Sequence, residues 1–384
     1  MKYLNDRNRK TDTNEIDSRK QPLWYSGRYF DYPLFGIVLG LVLFGLVMVY
    51  STSSYRADEL YGDSTYFAKR QLVFELVALV GMFLVSKIDY RRYARYSKYF
   101  LYVAIALLVL VYIIGSASHG STRWIYIGAF GFQPSEFAKL ALIVYTADIC
   151  TRKPRSLNTI KGLAKMLLLP LITIVLIAIE NLSTAIICFG IVMIIVFVAS
   201  PKNWHFILMG VLGILMCVVF IATAGYRADR IRIWLAPEKY DDGYQTMQSL
   251  YAIGSGGFFG RGLGNSIQKM GFIPESHNDM IFSVICEELG LFGAVLTIIM
   301  FILLIYRCTV LAINSGDRFG GLIAVGVMAH IAVQVLINIS VVTNTIPPTG
   351  VPLPFISYGG TSVMFLMLEM GMVLSVSNQI KLEQ

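Results

Sequence analysis

Asp279, Ser283 and Glu287 are spaced four residues apart, so a helix would stack them one turn above another on a single face. They lie in the segment Lys269–Gly290, which passes from polar to apolar, and they straddle that border. Pro274 and Glu275 read as a helix start, with Ser276 or Asn278 as N-cap. A carboxylate at the mouth of a membrane helix is costly and by default marks a functional site with a partner. Such a group can accept a proton or hold a hard cation. The structural alternative is a first-turn carboxylate favoured by the helix macrodipole.

Other polar groups could serve the same site. Arg123-Trp124 precede Gln133-Pro-Ser-Glu-Phe-Ala-Lys139. The pair is either an aromatic-belt anchor with a snorkelling lysine nearby, or a cationic patch for an anionic lipid head. The run Gly254–Gly264 lacks the Gly-Lys-Ser/Thr ending of a nucleotide-binding phosphate loop, and no βαβ unit surrounds it. It is either a turn allowing close backbone approach, or a set of N–H groups facing a diphosphate with Arg261 and Lys269. No nucleotide is expected. The four histidines are scattered and the five cysteines show no paired spacing, so neither a zinc site nor a disulfide framework is predicted. Asn344–Ser362 holds four prolines and three glycines, which forbid a continuous helix and predict a re-entrant or capping loop.

The elements that must carry these groups are membrane helices. Of 384 residues, 56% are hydrophobic, and the mean hydropathy is +0.63. The net charge of +8 sits mostly between apolar runs, which favours a membrane surface over nucleic acid. The predicted class is all-α, a polytopic membrane protein of about ten helices of about 20 residues. The spans are placed at about Tyr32–Tyr50, Gln71–Ile88, Tyr99–Gly115, Phe137–Cys150, Leu163–Ile179, Thr184–Ser200, His205–Ala224, Met280–Tyr306, Gly320–Ile339 and Ser362–Ser377. Residues 1–31 and 378–384 form polar tails around a domain over 32–377. Ser51–Phe67 reads as a polar loop. Residues 226–278 form the longest polar interval, between helices 7 and 8, and a connection of that length is itself a functional candidate. Lys and Arg cluster in alternate connections, at Lys87–Lys98, Arg152–Lys165 and Arg307–Arg318, while Val341–Gly360 has none. Both termini are therefore expected in the cytoplasm, with 226–278 and Asp279 facing outward. Glu75, Asp148 and Glu369 fall well inside spans, either as hydrogen-bonded structure or as groups serving transport.

Taken in order, these motifs resemble the SEDS family of bacterial cell-wall proteins, which includes FtsW, RodA and SpoVE. The resemblance covers about Tyr32–Ser377. It rests on Arg123-Trp124 with Gln133-Pro134, Gly243–Gly257, Pro274–Phe282 with Glu287-Glu-Leu-Gly290, and Pro347–Gly360. Gln248-Ser-Leu-Tyr-Ala252 with Asn265–Lys269 looks like the FtsW and SpoVE branch. Two departures stand out. Glu180-Asn-Leu-Ser-Thr184 replaces a common Pro-Asp-x-Gly-Thr, and Met280 replaces a common Phe.

The resemblance implies a peptidoglycan glycosyltransferase that polymerises lipid II. A lipid II flippase and a non-catalytic scaffold are the alternatives. It implies that Asp279 is the catalytic aspartate, and that Arg123, Trp124, Lys139, Arg261, Lys269, Glu275, His277 and Ser357 bind substrate. Ser283, Glu287, Pro352 and Gly359 would support them, and Asp279 would hold a divalent cation, Mg2+ or Mn2+. The implied partners are a class B penicillin-binding protein, other division proteins and membrane lipids, with no nucleic acid. The implied place is the cytoplasmic membrane, at the division septum.

Overall fold

The computed structural model describes residues 30–118, 121–127, 130–202, 204–222 and 225–380. Nearly all of the N-terminal tail, His119 and residues 381–384 lie outside them. Helix α1 (Tyr32–Tyr61) starts at Asp31, whose side chain accepts the Leu34 N–H at 2.8 Å. It runs past Tyr50, through the stretch predicted as a polar loop. Hydroxyls of this stretch find partners while the backbone stays helical. Thr52 Oγ1 donates to the Val49 carbonyl at 3.3 Å, and Ser51 Oγ donates to the Glu288 carboxylate at 2.7 Å. The helix closes only at Gly62, which takes a φ of 65° and returns its N–H to the Asp58 carbonyl.

The chain continues through α2 (Tyr66–Lys87), α3 (Arg91–Ile114), α4 (Pro134–Arg152), α5 (Ile160–Glu180), α6 (Leu182–Ala199) and α7 (Trp204–Ala222). The predicted interval 226–278 is partly helical, with α8 (Gly225–Leu235) and α9 (Tyr244–Ser255). Then come α10 (Ile281–Asn314), α11 (Arg318–Val342) and α12 (Gly360–Ser377). The predicted spans fall on α1–α7 and α10–α12. Seven of these are long and apolar enough to cross a bilayer by length and composition alone. The chain is an all-α, multi-pass membrane protein. Helix α4 is buried on almost every side, so it forms the centre of the bundle.

One feature was not foreseen. Between α3 and α4 lies a small antiparallel sheet of β1 (Ser116–Ser118), β2 (Ser121–Ile127) and β3 (Phe130–Phe132), in that order. Trp124 pairs with Ser116, and Ile125 with Phe132.

Hydrogen bonds sort the helix ends into two sets. Arg307 pairs with Asp31 at 2.5 Å, Arg91 with Asp317 at 2.8 Å, and Ser375 Oγ donates to the Ile88 carbonyl at 2.5 Å. The start of α1, the end of α12 and the α2–α3 and α10–α11 connections therefore share one end, which is rich in Lys and Arg. Residues 269–280, the start of α10 and the breaker run before α12 lie at the other.

Helix α10 is broken at Gly290, where φ is 66° and ψ is −164°. The break frees the carbonyls of Glu287 and Glu288 and the N–H groups of Leu291 and Phe292. The glycine-rich run takes all four. Arg261 N–H and Gly262 N–H donate to Glu287 and Glu288, each at 2.9 Å, while Leu291 and Phe292 donate to Gly257 and Phe258 at 3.0 and 3.1 Å. A Cβ on Gly260 would lie 2.2 Å from the Glu288 carbonyl oxygen, so the close approach needs glycine. Of the two readings of this run, the close backbone turn holds, and two of its N–H groups are spent on α10 rather than on a diphosphate.

Candidate active site

Asp279 sits in a turn, not in the first turn of a helix as the spacing predicted. Helix α10 begins only after Met280. The expected caps are engaged elsewhere. Ser276 Oγ donates to the Thr52 carbonyl of α1 at 3.1 Å, and the Asn278 amide donates to the Glu275 carboxylate. Asp279 therefore does not share a helical face with Ser283 and Glu287. Ser283 Oγ turns back to the Met280 carbonyl at 2.6 Å. Glu287 faces the glycine-rich loop, accepting from Ser266 Oγ and from the Ile267 and Gln268 N–H groups at 3.0 and 3.3 Å.

The turn is held from three sides. Asn338 Nδ2, on α11, donates to the carbonyls of Asp279 and Val351, both at 2.8 Å. Ser357 Oγ donates to the Asn278 carbonyl at 2.6 Å and accepts the Leu353 N–H at 2.8 Å. The Tyr358 N–H donates to the His277 carbonyl at 2.9 Å. The breaker run is thus the capping loop its prolines predicted, with Pro352 and Ser357 beside the site. The Gly359 N–H donates to Gln71 Oε1 at 3.3 Å, tying the loop to α2.

Asp279 is partly buried, and its Oδ1 is buried with no hydrogen-bond partner among the described residues. Burial first, and the negative charge of Glu275 second, push its carboxyl up from 3.8 to about 7; the N–H groups of Asp279 and Met280 and the Arg230 guanidinium pull the other way. His277 packs between the rings of Phe67 and Tyr358, at 4.8 and 5.6 Å. Burial takes its imidazole down to about 4, although Glu275 opposes this. The ring is therefore neutral near pH 7, and of these two side chains it is Asp279 that is poised to exchange a proton there.

The predicted cations take different places. Lys269 is buried and paired with Glu288 at 2.7 Å, with Ser51 Oγ at 3.0 Å. Lys139 is buried and paired with Glu136 at 2.9 Å. Both ammonium groups are thus already paired with carboxylates of the protein. Arg261 is half-exposed, 3.7 Å from Glu287. Arg123 lies in β2 and donates to the Glu180 carbonyl at 3.0 Å. With Tyr112, Gln133, Glu180 and Asn181 it lines a cleft between α3, α4 and α5. Trp124 stacks on Tyr126. The buried carboxylates inside the spans are hydrogen-bonded: Glu75 to Gln71 at 2.9 Å, Asp148 to Ser97 and Arg152, and Glu369 to His330 at 2.7 Å.

Two cations beside the site were missed. Arg230 on α8 is exposed and donates to the Pro348 carbonyl at 3.4 Å, while Trp234 Nε1 donates to the Asn344 carbonyl at 3.0 Å. Helix α8 thus lies on the capping loop. Arg56, near the end of α1, donates to the Pro274 carbonyl at 2.9 Å. The length of the interval 226–278 was a signal for the first; nothing in the sequence marked the second.

Among the described residues, no group of three or more His, Cys, Asp or Glu side chains is arranged to hold a metal ion. The donor set at the turn, one carboxylate oxygen without a partner and Glu275 near it, fits a hard cation that keeps other oxygen ligands.

Fold and site together define a multi-pass helical membrane protein with a carboxylate of raised pKa set in a turn at the end of the bundle opposite the basic end. More particularly, the chain belongs to the cell cycle protein family of FtsW, RodA and SpoVE, whose model matches residues 32–382. It is 39% identical over 347 residues to stage V sporulation protein E of Bacillus subtilis, covering 89% of this chain and 95% of that one. It is 38% identical to a probable peptidoglycan glycosyltransferase FtsW of Trichlorobacter lovleyi, covering 92% and 94%. Among solved structures, it matches a chain from a study of how a peptidoglycan synthase complex coordinates polymerization and crosslinking. The TM-score there is 0.76 at 27% identity, covering 91% of this chain and 97% of that one. Thermus thermophilus rod shape determining protein RodA matches with a TM-score of 0.68 at 25% identity, covering 92% and 98%.

Proposed function

We propose that this chain is a peptidoglycan glycosyltransferase that polymerises lipid II, with Asp279 as general base. The observation that carries the reading is the Asp279 carboxyl, raised to about 7 with a buried oxygen that nothing in the described protein engages. A base whose pKa lies near the working pH combines the ionised form with a useful driving force for proton transfer. The relative named above as a probable peptidoglycan glycosyltransferase FtsW supports the reaction class.

In the reaction, the acceptor sugar hydroxyl gives its proton to the Asp279 carboxylate. Its oxygen forms a bond to the anomeric carbon of a second lipid II. The bond from that carbon to the undecaprenyl diphosphate breaks, and the electron pair leaves with the diphosphate. Arg230 and Arg261 are the candidates to meet that charge, and Arg123 the candidate for a second head group. A divalent cation, Mg2+ or Mn2+, would sit on Asp279 and substrate oxygens and supply further charge neutralisation.

The Lys- and Arg-rich end of the bundle is assigned to the cytoplasm, with both tails, 1–31 and 378–384. Residues 226–278 and Asp279 then face outward, where the head group of lipid II is. A class B penicillin-binding protein is the proposed partner, with other division proteins, at the septum.

The test is polymer formation from labelled lipid II by matched amounts of folded wild type and Asp279→Asn. The variant should lose on the order of 10²–10⁴ in rate. Asp279→Glu should also be impaired, because a displacement near 1 Å costs about 10²-fold. Polymer from Asp279→Asn at the wild-type rate would sink the assignment. Movement of lipid II across liposomes without polymer would favour transport.

A further inference from the structure

Gln334 lies one turn before Asn338 on α11, and its side chain is wired on both sides. Its Oε1 accepts from Lys139 Nζ at 3.3 Å and faces His330 Nε2 at 2.8 Å, while its Nε2 donates to the Pro352 carbonyl at 3.0 Å. The orientation of the amide follows from its partners. Lys139 can only donate and the Pro352 carbonyl can only accept, so the oxygen must face the lysine and the nitrogen must face the loop. His330 Nε2 then has to carry a hydrogen.

The other ring nitrogen, Nδ1, meets Glu369 Oε2 at 2.7 Å. One proton must lie in that bond. Wherever it sits along the bond, the His330–Glu369 pair is neutral as a unit. The Lys139–Glu136 pair beside it is neutral too. All five side chains are buried, so a network without net charge is the arrangement that burial permits.

We infer that His330, Glu369 and Gln334 are positioning residues for Asp279. Glu369 sets the His330 ring, the ring sets the Gln334 amide, and Gln334 and Asn338 form a two-amide clamp. The clamp grips the carbonyls of Val351, Pro352 and Asp279, which fixes the capping loop and the site turn to the same helix. What the clamp requires of residue 369 is a hydrogen bond that closes Nδ1, not a mobile charge. This separates the role from ion or proton carriage through the bundle, the other use a buried carboxylate in a span could have.

Glu369→Gln is the discriminating variant, because its amide N–H can replace the shared proton toward Nδ1. It should keep its polymerisation kcat within about two-fold of wild type. Glu369→Leu and Gln334→Leu should lose about 10- to 100-fold in kcat, with a much smaller change in KM for lipid II, since the base is misplaced rather than the substrate rejected. Gln334→Glu keeps size and polarity but loses the donor to Pro352, and should behave like Gln334→Leu even if the leucine variant fails to fold.

The polymerisation arm rests on the proposed function, so hydrogen exchange supplies an arm that does not. In Gln334→Leu and Gln334→Glu, the Leu353 and Tyr358 amides of the capping loop should exchange about ten-fold faster. In Glu369→Gln they should exchange at the wild-type rate. Loss of kcat in Glu369→Gln as large as in Glu369→Leu would overturn the inference, and so would unchanged loop exchange in both Gln334 variants. Absence of polymer from the wild type, with the exchange pattern as expected, would instead count against the proposed function alone.

Discussion

Glu275→Gln isolates the electrostatic part of what tunes Asp279. The two carboxyls lie four residues apart in the site turn, and the charge of Glu275 is the second cause, after burial, of the rise to about 7. Glutamine keeps the size and can still accept from the Asn278 amide. With the base at about 7, roughly a tenth of it is ionised at pH 6. If the substitution lowers the pKa by about one unit, the ionised fraction at that pH rises to about a half. The rate at pH 6 should then rise about five-fold, while the rate near pH 8.5 should hardly change. The assay is the initial rate of polymer formation at saturating lipid II across about pH 5.5 to 9. His277→Gln is the control: its imidazole, lowered to about 4, cannot give a limb near 7, so the limb should stay in place. An acid limb that does not move in Glu275→Gln, or that moves to higher pH, would refute the reasoning. So would a limb lost in His277→Gln.

Further expectations follow from the same geometry. Because the folded state raises the Asp279 pKa, its contribution to stability is complete at low pH and is lost as pH rises through about 7. Asp279→Asn should therefore melt higher than wild type at pH 8, with the gap narrowing as pH falls below about 7 and closing only near the ordinary carboxyl value of 3.8, in thermal unfolding in detergent. Lys269→Met strands the buried Glu288 carboxylate and should cost about 3–5 kcal/mol, whereas adding Glu288→Leu should restore most of the loss. Gly290→Ala would place a Cβ 2.3 Å from the Gly260 nitrogen at a φ of 66°, and should cost on the order of 2–4 kcal/mol by the same measurement.

The helices were legible because crossing a bilayer demands apolar runs of a fixed length, and these runs are plain in the sequence. Their ends were less so. Ser51 looks like a loop residue until its partner, Glu288, is known, and that partner lies 237 residues away. Asp279 was singled out by its motif, but its supposed alignment with Ser283 and Glu287 failed because Ser276 is bonded to α1 and the Asn278 amide to Glu275, so neither caps a helix there. The pairing of Lys139 with Glu136 could have been anticipated from their spacing of three on a helix. The pairing of Lys269 with Glu288 could not, since it depends on how the glycine-rich loop folds back. The place of Arg230 depends on α8 lying across the breaker run, a tertiary fact that no local pattern carries.

The exchange of backbone bonds at Gly290 bears on the order in which the chain is made. Residues 256–262 leave the ribosome before α10 does. Helix α10 can nevertheless enter the bilayer unbroken, with Leu291 and Phe292 bonded to Glu287 and Glu288 in the ordinary helical way, as a lipid environment demands. With the glycine-rich run folded back, four bonds between loop and helix stand in place of those two. The direction of the long C-terminal part of α10 is therefore set by a segment that precedes it in the chain. The loop acts on the helix as a keystone does on an arch: it decides the angle at which the rest must stand.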